Sequence, residues 1–163
     1  MIRQAETLEE LLDQSAREGL TGLEVMQAIL AGRIPGAPIA RTLNFGLTSV
    51  ERGVVAFEGA PGFEAMNPNG AVHGGWFGAI LDSCMGCAVH TMMPPDTAYT
   101  TLEYKINLTR GLMPGGERVR AIGECRHAGR RTAVADGRLI GCETGKLYAT
   151  GSTTCLVFPR QPA

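Results

Sequence analysis

At 163 residues the chain suffices for one domain with a sizeable core. Its formal net charge of −1 provides no basic field for nucleic acid, and 44% hydrophobic with 19% charged residues is ordinary for a soluble globular protein. Five cysteines without regular spacing, and a start that runs straight into polar sequence, fit reduced thiols in a cytoplasm better than a secreted disulfide framework.

Residues 1–35 read as an N-terminal helical extension. Thr7-Leu8-Glu9-Glu10 is a capping-box pattern with Leu8, Leu11 and Leu12 on one face. Thr21-Gly22-Leu23-Glu24 repeats it, with Leu23, Met26 and Leu30 behind, before Gly32, Pro35, Gly36 and Pro38 stop the helices. The extension is expected to cover the domain or its dimer edge and to carry no catalytic role.

Residues 36–163 form the main domain. Residues 39–59 predict two strands around the turn Glu51-Arg52-Gly53, followed by a loop from Ala60 to Val72. An apolar helix is predicted from Gly74 to His90, ended by Met93-Pro94-Pro95-Asp96. The period then changes to two, placing Leu102, Tyr104, Ile106 and Leu108 on one face of a strand. Further strands follow at Val119–Arg126, 131–141 and 146–158, so that four strands after the helix are expected in meander order. The plan is α+β: a long antiparallel sheet wrapped around one central apolar helix.

Residues 74–93 are almost uncharged and approach the length of a membrane span. Asp82 at the centre would cost about 2.5–3.5 kcal/mol in a bilayer core, and Gly74, Gly75, Gly78 and Gly86 dilute the hydrophobicity. A helix buried within a protein explains the pattern better.

That lone carboxylate asks for a partner or a function. The first N–H groups of a helix have no internal partner, and the helix dipole makes that end electropositive. Gly74 and Gly75 therefore suit an oxyanion site for a carbonyl oxygen acquiring charge. Asp82 would act as nucleophile or as general base towards water, with Asn67 orienting that water or the carbonyl. Eight residues separate Gly74 from Asp82, roughly 12 Å along one helix. One carbonyl touching both needs them within roughly 6 Å. A second, antiparallel helix across a two-fold axis would bring Gly74 of one subunit opposite Asp82 of the other, with the crossing at Gly78 beside Ala79. The expectation is a composite site in an obligate homodimer.

The spacing Asn67-x5-His73-Gly74-Gly75-x6-Asp82 resembles the signature of hotdog-fold acyl-CoA thioesterases, in the phenylacetate-pathway (PaaI-like) branch. The runs 100–108, 129–133 and 153–158 are similar to that branch, so the resemblance covers about residues 36–158. It implies a hotdog fold, a homodimer that pairs in many members into a dimer of dimers, and metal-free hydrolysis of an acyl-CoA without a cofactor. By the same resemblance Asp82 is the catalytic acid and Gly74 the oxyanion donor, with His73 beside it. Asn67 positions water or thioester, Thr101 supplies a hydroxyl near the carboxylate, and Arg130 and Arg131 meet the coenzyme A phosphates. Aspartate at position 82 departs from the hotdog branch that uses glutamate.

Plainer readings stand beside these. His73 could fix the loop before the helix by hydrogen bonding, and Gly74-Gly75 could be a tight turn. Trp76 and Phe77 could be core or interface, though Phe77 could also line an acyl pocket. Cys84-x-x-Cys87 lies too far into the helix for a redox pair and reads as packing, and Cys125, His127 and Cys142 lack metal-ligand spacing. Two other functions remain open on the same fold: a non-catalytic acyl-CoA binder, and a dehydratase or hydratase using His73 with Asp82.

Overall fold

The apolar helix forms over the expected residues and organises the rest. The computed structural model of the protein describes residues 2–160. Its helices are α1 (Leu8–Leu12), α2 (Gly22–Leu30), α3 (Ile39–Thr42) and α4 (Gly74–His90). Its strands are β1 (Phe45–Glu51), β2 (Val54–Gly59), β3 (Thr97–Leu108), β4 (Val119–Ala128), β5 (Thr132–Gly141) and β6 (Leu147–Pro159). They form one six-stranded antiparallel sheet in the order β1-β2-β4-β5-β6-β3, curled around α4. Among the described residues no helix is long and apolar enough to cross a membrane.

At one row of glycines the sheet offers no side chains of its own to α4. Gly123 of β4, Gly137 of β5 and Gly151 of β6 are paired in register across three neighbouring strands. A Cβ on Gly123 would run into the Cys84 carbonyl, and one on Gly137 would come within 2.9 Å of Met85 Cγ. Fully buried Met85 fills the space that the row leaves. Gly123→Ala is therefore expected to destabilise the fold by about 1–3 kcal/mol or more, because the obstacle is backbone. A lowered urea midpoint at unchanged slope would register this.

The four later strands are not a meander, since β3 pairs with β6 while β4 pairs with β2, and two further sequence expectations need correction. Residues 39–42 are a helical turn rather than strand, because Pro38, with φ −60°, starts a helix readily. Asn44 (φ 51°) then takes the left-handed conformation that releases the chain into β1. The second correction concerns the first capping box, which is half made. Thr7 Oγ1 accepts from the Glu10 N–H, but the Glu10 carboxylate accepts from Glu6 N–H and Arg3 instead of returning to Thr7. The Thr21–Glu24 box closes on both sides. It starts α2 against the end of α4, where Gly22 N–H donates to the Met93 carbonyl at 3.0 Å.

Candidate active site

His73 is the N-cap of α4: its Nδ1 accepts from the Gly75 N–H at 2.9 Å. Nδ1 therefore carries no proton, and the ring serves as an acceptor there. Trp76 N–H donates to the His73 carbonyl, so two of the first donors are satisfied within the turn. The Gly74 N–H has no partner among the described residues. Of the two glycines, Gly74 is thus the free donor at the positive end of the helix, while Gly75 is spent on the cap.

Two turns on, Asp82 is half-buried, and Thr101 Oγ1 donates to its Oδ1 at 3.0 Å. That contact depends on a bulge in β3. The pairing with β6 steps from Thr101–Cys155 to Glu103–Thr154, leaving Leu102 unpaired. Without the extra residue, Thr101 and Tyr104 would face opposite sides. With it, Tyr99, Thr101 and Tyr104 all turn towards α4. The expected common face of Leu102, Tyr104, Ile106 and Leu108 is corrected accordingly, since Leu102 sits in the bulge. Gly78 is corrected too: the Tyr104 hydroxyl lies 2.9 Å from where its Cβ would be, so the glycine accommodates its own strand.

Asp82 and Thr101 open into a mostly apolar cavity of about 310 Å³. Ser83, Gly86, Cys87 and His90 continue its wall along α4, and Tyr99 adds to it from β3. The groups around the carboxylate stay uncharged. Burial, and then the Asp82 charge, pushes the Cys87 thiol up to about 12. Burial raises the Tyr99 hydroxyl well above its ordinary range. His90 is brought down to about 4 by burial and by Arg160 and Arg17. No neighbouring thiolate or imidazolium therefore competes with Asp82 near neutral pH.

The other sequence-derived residues lie elsewhere in this chain. Asn67 holds its own loop, its Oδ1 accepting from the N–H groups of Asn69 and Ala71, which leaves its amide nitrogen as a donor. Phe77 is in the core, edge-on to Trp76 at 6.0 Å, and does not border the cavity. Arg130 and Arg131 are exposed beside the β4–β5 turn, and Arg130 borders a separate, open cavity of about 430 Å³. Cys84 is buried and inert, its thiol pushed up by desolvation. Among the described residues no group of three or more His, Cys, Asp or Glu could hold a metal.

Sequence reasoning missed the far wall. Leu11, Arg17, Met26 and Ile29, from the extension thought to be mere cover, border the Asp82 cavity. No local sequence signal marks this, because the contacts are long-range.

Comparison with known proteins agrees with this architecture. The model of the thioesterase superfamily matches residues 69–146. The structure resembles a thioesterase family protein from Silicibacter pomeroyi at 23% identity and TM-score 0.73, over 82% of this chain and 98% of that one. It resembles a phenylacetic acid degradation-related protein from Ralstonia eutropha at 26% identity and TM-score 0.72, over 80% and 98%. A Streptococcus mutans protein with acetyl-CoA bound has the same fold, at 24% identity and TM-score 0.65 over 73% and 92%. Among curated proteins, none matches the chain. A central helix in a six-stranded wrap gives this chain the hotdog fold, and the thioesterase superfamily model matches that helix and the strands beside it.

Proposed function

We propose that the protein is an acyl-CoA thioesterase acting as a homodimer, with Asp82 of one subunit working opposite Gly74 of the other. The observation that carries this reading is one helix bearing a free N–H at its start and an oriented carboxylate two turns later. Their separation, roughly 12 Å along the axis, is too great for a single carbonyl. Two further features support a partner. β3 is an edge strand of 12 residues, with Leu102, Tyr104 and Leu108 between 45% and 59% exposed. Small residues Gly75, Ala79 and Ser83 run along a less buried stripe of α4, where another backbone can approach closely.

The Gly74 N–H receives the thioester oxygen as it gains charge. Asp82, aimed by Thr101, either attacks the carbonyl carbon or takes a proton from an attacking water. Overall a C–O bond forms, the C–S bond breaks, and the thiolate leaves and is protonated as free coenzyme A. Asn67 offers its amide donor to the carbonyl or the water. Arg130 and Arg131, both exposed, offer forks for the phosphates. An aromatic or medium-chain acyl group suits the apolar cavity, and the chemistry needs no metal or cofactor. A dehydratase role suits the site poorly, because His73 uses Nδ1 for the cap. All five cysteines are free, which suits a cytoplasmic location.

Thiol release from a panel of aromatic and saturated acyl-CoAs, followed with a thiol reagent, tests the reading. Binding without release would make the protein a carrier. Thr101→Val, which deletes the hydroxyl that aims Asp82, is expected to lower kcat by roughly tenfold with little change in KM. Unchanged kcat would remove Thr101 from the site.

A further inference from the structure

The cavity in front of Asp82 runs along α4 as a stripe of Asp82, Gly86 and His90, spaced four residues apart on one helical face. Its length from Asp82 to His90 is roughly 12 Å by helical rise. The walls are mostly apolar, with Met26, Ile29, Leu47 and Phe57 among them. Polar side chains are therefore conspicuous, and the N-terminal segment contributes two.

Gln4 is 7% exposed, borders the cavity and makes no side-chain hydrogen bond among the described residues. Its amide lies open to the cavity rather than sealed in the core, so it offers a donor to a bound group there. Arg17 also borders the cavity; its Nε is buried and unpartnered, and Nη1 has only a long 3.4 Å contact to the Leu11 carbonyl. Arg17 has no salt bridge among the described residues, and Asp13, whose charge acts on it from a distance, accepts from Ser15. Arg160 adds a second positive charge nearby, with Nη1 donating to Gln14. His90, held neutral by burial and then by these two cations, adds no charge of its own. The far end of an apolar cavity thus carries unneutralised guanidinium charge.

We propose that the N-terminal segment makes the enzyme selective for ω-carboxyacyl thioesters, with Arg17 and Gln4 receiving the distal carboxylate of the acyl chain. The proposal rests on the thioesterase reading above and names its substrate class. A carboxylate fits because it accepts from a guanidinium fork and an amide together, whereas a methyl end would satisfy neither donor and would leave Arg17 Nε buried and unpaired. The apolar walls take the intervening methylene groups. The extension, outside the wrapped sheet, supplies the selecting residues.

The test compares kcat/KM for adipoyl-, suberoyl- and sebacoyl-CoA with hexanoyl-, octanoyl- and decanoyl-CoA. The wild-type protein is expected to favour at least one dicarboxylic thioester over its uncharged counterpart by about tenfold or more. Arg17→Met should remove that preference through KM, and Gln4→Leu should reduce it. Equal or reversed wild-type preference across all three pairs overturns the proposal, and so does a preference that survives Arg17→Met. The wild-type comparison decides the matter even where the variant does not fold. Absence of thiol release from every substrate, by contrast, removes the thioesterase reading itself.

Discussion

Replacing Asp82 with asparagine is expected to lower thiol release by about a thousandfold while leaving the fold intact. The structural part follows from the surroundings. Asp82 is half-buried, and its contact in the chain is an accepted hydrogen bond from Thr101. Asparagine keeps an oxygen acceptor of the same shape, so that contact survives. The loss is chemical, because an amide neither attacks a carbonyl nor accepts a proton from water. Near neutral pH no nearby group replaces the carboxylate: Cys87 stays a thiol, Tyr99 a phenol, and His73 has Nδ1 in the cap. Thermal melts matching the wild type, with activity lost, are the expected pair of results. Activity retained at the wild-type rate would take Asp82 out of the mechanism.

Gly74→Pro carries the second large effect. Proline at the first helical position costs little, since the N–H it removes is not used within the helix. The preceding His73, at φ −65° and ψ 139°, already has the extended backbone that a following proline requires. The variant therefore deletes one donor from the helix start while sparing α4. A loss of about a hundredfold or more in kcat is expected, the usual consequence of removing an oxyanion donor. Gly74→Ala is the control. It keeps the N–H, and its Cβ would meet only Leu108 Cδ1, at 3.5 Å, within the chain. Equal kcat for the proline and alanine variants would show that the Gly74 donor is not used.

Much of this architecture is legible in the residues. The glycine pair, the apolar run and the double proline after Met93 bound α4 correctly, because helix caps and stops are local chemistry. The later strands also follow from local alternation. What was not legible depends on distant parts of the chain. The bulge that turns Thr101 towards Asp82 is set by pairing with β6, and the alternation on either side of Leu102 hides it. The helical turn at Ile39–Thr42 was masked by its apolar residues, which suit a strand equally well. The extension's wall over the cavity arises because the closed capping box at Thr21 anchors α2 at the end of α4. Asp82 and Gly74 are legible from spacing, and the continuous helix holds them two turns apart on one rod as the predicted span implies.

The division of the site between two subunits is tested most directly by subunit mixing. Asp82→Asn and Gly74→Pro chains, carrying different tags, are co-expressed and the doubly tagged dimer is isolated. Sites shared across the dimer leave one intact pair per mixed dimer, Gly74 from the first chain and Asp82 from the second. The purified mixed dimer should then recover about half the wild-type activity. A mixed dimer as inactive as either parent would place both groups of each site in the same chain and contradict the shared site.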